Sequence, residues 1–366
     1  MNFLIFNANI VTPDGVIKDG SILIKDGRIA KIGRKPASGF LSSRLIDADG
    51  CFAAPGFIDI QLYGDPKRAA FHEAMFGTTG FLAAIPCSAP KATLKKIDSI
   101  ISDIKAQDGG ARILGINLEG PYLSKTKPGA QDKRSMRKPE NAEIKAFIER
   151  SSGYLKFMTV APELGGALEA VKILKSKGII ASIGHTKATF AEAENAADLG
   201  AGCATHVFNA MEGFHHRRPG VIDAVLKDRR ISATVILDGE HVSPTAFEML
   251  LKCKGADKVI LITDSLRNDA SFEAKWDGGV YRLKDGTIAG SGLTMINAVK
   301  NAVKFSELSL PEAVNLASGN PARLLGLENK GEIRQGYDAD IVLFDPKFDV
   351  WLTMAEGKII HKRCAA

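Results

Sequence analysis

Val259-Ile260-Leu261-Ile262-Thr263-Asp264 is a short apolar run that ends in a carboxylate. A run of this length with no polar alternation is expected of a strand buried on both faces, as in a parallel sheet. The same design recurs upstream at 56–62, 80–85, 113–118, 155–160, 179–183, 202–205 and 231–237. With 259–263 this makes eight strands. Helical patterns at 91–106, 141–151, 166–177, 190–199, 221–227 and 245–254 fall between most of them. Strand–helix alternation carried through eight repeats predicts a (β/α)8 TIM-like barrel. An open doubly wound sheet is the alternative, but the first strand is not followed by the Gly-x-Gly-x-x-Gly turn of that fold.

Outward from the middle the style of the sequence changes. Segments 3–5, 21–24 and 28–32 at the start, and 341–344, 349–353 and 358–361 at the end, alternate apolar and polar residues between turn signals such as Lys25-Asp26-Gly27 and Glu356-Gly357. Neither end holds enough strand for a stable sheet. The expectation is one small β-sandwich domain built from residues 1–53 and 333–366, flanking a barrel of residues 54–332.

The 366 residues are 45% hydrophobic and 25% charged, which is ordinary for a globular protein. No apolar run approaches the ~20 residues of a membrane span, and the first residues read as a strand, so a cytosolic enzyme is expected. The five cysteines have no close pairs, against a disulfide framework or a cysteine zinc site. A net charge of +6, spread along the chain, suits an anionic small molecule and offers no nucleic-acid footprint.

The ends of the barrel strands carry the chemistry, because barrel enzymes place their sites there. Asp59 and Gln61 share one face of the first strand, Glu119 ends the third, His185 the fifth, His206 the sixth, Asp238 the seventh and Asp264 the eighth. Glu119, His185 and His206 together form a three-ligand set of the kind that holds a catalytic divalent ion with one position open for water. Such an ion brings the pKa of water to about 7. Zinc suits these donors, with iron or another divalent ion as alternatives. Asp264 is placed to move protons between water and a leaving amine.

Several segments resemble the N-acetylglucosamine-6-phosphate deacetylase family of the amidohydrolase superfamily: 55–62, Asn117-Leu118-Glu119-Gly120-Pro121, Gly184-His185-Thr186, 204–211 with 215–220, Leu261-Ile262-Thr263-Asp264, Ala289-Gly290-Ser291, 317–323 and 336–342. The resemblance covers nearly the whole chain. It implies metal-dependent removal of acetate from an amino sugar 6-phosphate, with Glu119, His185 and His206 as ligands and Asp264 as acid/base. It assigns Gln61, Asn209, Ala210, His216, Arg217, His241 and Ser291 to the substrate, and implies a homodimer. An arginine suits the phosphate because its guanidinium offers paired donors.

Two-metal relatives need His-x-His on the first strand and often a lysine ending the fourth. Here those positions read Asp59-Ile60-Gln61 and Val160-Ala161-Pro162-Glu163, so one metal is expected. Two departures from the family follow. Gln131 stands where a histidine is thought to polarise the substrate carbonyl, and an amide can donate a hydrogen bond but carry no proton. The loop after the first strand is short, running Tyr63-Gly64-Asp65-Pro66 into a helix. These leave open another amidohydrolase reaction on a related polar substrate, or a barrel that serves as a non-catalytic scaffold.

Overall fold

The structure is a computed structural model that describes residues 2–34, 44–267 and 272–363. Five strands come first: β1 (Phe3–Thr12), β2 (Gly15–Lys25), β3 (Arg28–Gly33), β4 (Arg44–Asp47) and β5 (Phe52–Pro55). Then follow the strands of the barrel: β6 (Phe57–Leu62), β7 (Thr78–Pro86), β8 (Arg112–Glu119), β9 (Leu155–Val160), β10 (Ile180–Ile183), β11 (Cys203–Ala204), β12 (Ser232–Ile236) and β13 (Val259–Ile262). These eight pair in sequence order, all parallel. One helix follows each of β6 to β12: α1 (Pro66–Ala74), α2 (Pro90–Ala106), α3 (Asn141–Arg150), α4 (Ala167–Ser176), α5 (Phe190–Asp198), α6 (Val221–Lys227) and α7 (Pro244–Lys254).

The sheet closes just past the end of its last strand. Leu62 bridges Ser265 in parallel. The Asp264 N–H donates to the Gln61 carbonyl at 3.1 Å, and the Tyr63 N–H to the Ser265 carbonyl at 3.2 Å. The barrel expected from the strand count is therefore present, and the open sheet is excluded. The barrel strands are packed on both faces: Phe57, Phe81, Phe157, Ile183, Val235 and Leu261 are buried. A polar knot sits among them, with Thr205 Oγ1 bonded to Thr159 Oγ1 at 2.9 Å and Ser182 Oγ at 2.7 Å.

The expected strand at 202–205 is only the pair Cys203–Ala204, because the chain turns into a left-handed conformation at His206, φ 34°. The region 265–332, to which the sequence reading gave no elements, holds a three-stranded antiparallel unit, β14 (Lys275–Asp277), β15 (Val280–Arg282) and β16 (Ile288–Ser291). Helices α8 (Met295–Lys304), α9 (Leu310–Ala317) and α10 (Gly319–Leu325) follow it.

The last strands, β17 (Ile341–Phe344), β18 (Val350–Ala355) and β19 (Lys358–Lys362), join the first five in one eight-stranded sheet, with β17 antiparallel to β5. The sheet curls on itself, since the Gly27 carbonyl accepts from Ala339 N–H at 2.8 Å while Ala339 in turn accepts from Gly357 N–H at 3.1 Å. Ile5, Ile10, Ile22, Ile24, Leu343, Leu352 and Met354 form its own core. Among the described residues no helix is long and apolar enough to cross a membrane.

Candidate active site

Four of the barrel strands end by bringing a polar side chain to the open mouth. Glu119 is the last residue of β8, and His185, His206 and Asp264 lie two residues beyond β10, β11 and β13. All four are buried. One acceptor atom from each of Glu119, His185 and His206 lies within 4.8 Å of the others, and this is the single such group among the described residues. Glu119 Oε1 stands 2.8 Å from His206 Nε2 and 3.2 Å from His185 Nε2, and the two nitrogens are 3.1 Å apart.

The surroundings fix these donors. His185 Nδ1 donates to the Lys127 carbonyl at 3.0 Å, which fixes the ring with Nε2 turned inward. Glu163 holds the turn after it, accepting from Lys187 N–H at 2.9 Å and from the Thr186 hydroxyl at 2.5 Å. The His206 N–H donates to Thr234 Oγ1 at 2.6 Å. Burial pushes the His206 imidazole below its ordinary value, which keeps it neutral. Burial alone would raise Glu119, but His185 and His206 override it and hold the carboxyl well below the usual range. A carboxylate and two imidazoles converging on one point fit a divalent cation; three tetrahedral ligands about 2.1 Å from an ion stand roughly 3.4 Å apart.

Gln61 is the link between this cluster and Asp264. Its Nε2 donates to Glu119 Oε1 at 2.9 Å and to Asp264 Oδ1 at 2.8 Å. Burial, followed by the Glu119 charge, pushes Asp264 well above the ordinary carboxylate range. Beneath them Asp59 accepts from Gln61 N–H at 3.1 Å and from the Thr263 hydroxyl.

The structure therefore brings Gln61, Glu119, Gln131, His185, His206 and Asp264 together. Gln131 reaches Glu119 Oε2 through its Nε2. The other residues singled out by sequence are arranged differently. His241 Nδ1 is held by Asp238 Oδ2 at 2.6 Å. Asn209 and Ala210 lie three and four residues after His206, Ala210 with φ 51°. The Ser291 hydroxyl bonds the Thr263 carbonyl at 2.5 Å and accepts from Leu293 N–H at 3.0 Å, tying β16 to the end of β13. His216 and Arg217 lie exposed on the loop before α6, where the His216 ring stacks on His215. One residue was missed: Tyr63, buried, whose hydroxyl donates to Glu119 Oε2. Period two along β6 carries 59, 61 and then 63 to the same face, and that signal could have found it.

Residues 52–360 match the model of the amidohydrolase family. Over 380 residues the chain is 34% identical to the N-acetylglucosamine-6-phosphate deacetylase of Lysinibacillus sphaericus, with 98% of each chain covered. The chain belongs to the amidohydrolase family. It is also 32% identical to the N-acetylgalactosamine-6-phosphate deacetylase of Escherichia coli O157:H7, covering 96% of this chain and 97% of that one. The solved N-acetyl-D-glucosamine-6-phosphate deacetylase of Mycobacterium smegmatis superposes with a TM-score of 0.90 at 29% identity, covering 98% of this chain and 99% of that one. That structure is an aspartate-to-alanine variant in complex with N-acetyl-D-glucosamine-6-phosphate. Family membership and the Glu–His–His donor set together indicate a divalent metal ion at this site.

Proposed function

We propose that this chain hydrolyses the acetamide of N-acetylglucosamine 6-phosphate to acetate and glucosamine 6-phosphate. The observation that carries the reading is the Glu119–His185–His206 cluster joined through Gln61 to the buried acid Asp264. Glu119, His185 and His206 would hold one zinc ion. When bound, such an ion supplies Lewis-acid polarisation and makes water acidic enough to ionise near neutral pH. Asp264 takes the proton of the attacking water and returns it to the departing nitrogen, a role worth about 10²–10⁴-fold in rate. Gln61 fixes its carboxyl by the bond to Oδ1. Gln131 gives one amide N–H to Glu119 and offers the other to the substrate carbonyl as a neutral group.

His241, with Nδ1 tied to Asp238, has Nε2 left for a sugar hydroxyl, and Asn209 and the Ala210 backbone line the same mouth. Ser291 supports the substrate side by pinning the end of β13. His216 and Arg217 bind the phosphate. Their loop is exposed and carries Phe214, 66% exposed, beside it, which supports a homodimer in which this loop reaches the neighbouring copy. The free thiols of Cys51, Cys87, Cys203 and Cys253 suit a reducing cytoplasm.

The test is acetate release from N-acetylglucosamine 6-phosphate by zinc-loaded protein, with the galacto and manno isomers in parallel. Asp264→Asn should retain metal and lose at least a hundredfold in kcat. Full activity of that variant, or no acetate from any of the three sugars, would overturn the reading; preference for another isomer would replace the sugar assigned.

A further inference from the structure

Two hydrogen-bond donors converge on the oxygen of Glu119 that faces away from the histidines. The Tyr63 hydroxyl and the Gln131 amide both donate to Oε2, while Oε1 faces His185 and His206 and takes one donor, Gln61 Nε2 at 2.9 Å. Tyr63 and Gln131 are themselves neighbours, with Gln131 Nε2 3.4 Å from the phenol oxygen. The pair approaches from different elements: Tyr63 from the end of β6, Gln131 from the loop between β8 and α3.

Both donors are built to stay in place. The Cys87 N–H donates to Gln131 Oε1 at 2.8 Å, so the amide must turn its NH2 toward Glu119. The Tyr63 backbone is tied to the barrel seam by its N–H bond to Ser265 at 3.2 Å. Its ring stands edge-on to Phe272, centroids 5.6 Å apart, and packs with Leu266 and Ala84. The ring is 2% exposed, so its hydroxyl has little water to turn to.

We propose that Tyr63 and Gln131 act as a clamp on Glu119 Oε2 that leaves only Oε1 to the metal. A carboxylate can bind a cation through one oxygen or both, and the choice is decided by what else its oxygens are offered. Two donors on Oε2 make the one-oxygen mode the stable one and hold the ligand in register with the histidines. Tyr63 is thus a positioning residue, acting on the reaction through Glu119. The inference rests on the metal reading of the site given above.

The test is Tyr63→Phe, which removes the hydroxyl and keeps the ring against Phe272. Zinc affinity of the purified full chain is measured by competition with a chromogenic chelator, and the cobalt(II)-loaded protein is examined by visible absorption. Loss of a partner of this kind costs a metal site about 10–100-fold in affinity. We expect at least a tenfold loss in Tyr63→Phe and a larger one in Tyr63→Phe/Gln131→Leu. The cobalt d–d bands should weaken, because Oε2 released from the clamp joins the ion and raises its coordination number. Affinity and band intensity that both stay within twofold of the parent protein overturn the clamp. A parent protein that binds no zinc, or binds it equally well as Glu119→Ala, overturns instead the metal reading beneath it.

Discussion

Asp59 should make the protein lose stability as the pH rises from about 4 to about 7. The residue is fully buried under the site, accepting from Gln61 N–H at 3.1 Å and from the Thr263 hydroxyl. Burial is the largest influence on it and outweighs those two bonds, with the Glu73 charge adding to the rise, so the carboxyl is pushed up to about 7. In the unfolded chain an aspartate titrates near 3.9. The folded state holds the proton more tightly, so the stabilisation is complete below about pH 4 and is lost as the pH passes through about 7. A gap of about three units at about 1.4 kcal/mol each comes to roughly 4 kcal/mol. Asp59→Asn keeps the shape and the acceptor for Gln61 N–H but cannot titrate. Urea unfolding of both proteins, metal-depleted, at pH 4 to 8 isolates the group together with its coupling to Glu73 and Asp264, because ionisations not coupled to Asp59 cancel in the difference. The stability difference should swing by about 4 kcal/mol toward the variant as the pH rises. A difference that stays flat within 1 kcal/mol would refute the reasoning.

Thr205→Val keeps the shape of the side chain but strands the hydroxyls of Thr159 and Ser182, and should cost about 2–4 kcal/mol in denaturant unfolding. Lys330 bonds Asp340 at 2.8 Å and Asp338 at 3.0 Å, with Asp340 buried, so Lys330→Met should lose about 3–5 kcal/mol. Chelation should lower the melting temperature, and zinc at a hundred times its Kd should return about 2.7 kcal/mol; a melting curve indifferent to both would count against the metal centre.

The barrel was legible because its strands are buried on both faces, so runs such as Val259–Ile262 carry no polar residue until the chain leaves the sheet. The candidate ligands were legible as the first ionisable residues after such runs. Other parts gave less. Lys275–Asp277 is wholly exposed and three residues long, so neither burial nor periodicity marks it as a strand. Helix α8 did carry a signal, with Met295, Ala298, Val299 and Ala302 at helical spacing and all buried. Tyr63 carried a signal too, since period two puts it on the face of Asp59 and Gln61, but Tyr-Gly-Asp-Pro also reads as a turn, and only the seam joining residues 63 and 265 shows that the strand geometry runs on to it. Glu163 registers in sequence only as the absence of a lysine, whereas in the fold it holds the turn that presents His185.

The backbone at the strand ends is the part no hydrophobic pattern encodes. His185, His206 and Asp264 all have left-handed φ, at 47°, 34° and 51°. For a residue with a Cβ this conformation costs about 1–3 kcal/mol, so the three together cost roughly 3–9 kcal/mol. Glycine would relieve each one. The chain keeps side chains there and restrains the backbone instead: Ser124 N–H holds the His185 carbonyl at 2.9 Å, Thr234 takes the His206 N–H, and Asp264 is tied on both sides, to Gln61 and to Ser291, each at 3.1 Å. Two of the three proposed metal donors and the proposed acid are among the non-glycine residues in this conformation. Their place there follows if the left-handed turn is what swings a side chain from the strand's end over the barrel mouth. Part of the stability given up in such backbone is thus located at residues the proposed chemistry uses, and Ser124, Thr234 and Ser291 are the partners that hold that backbone in place.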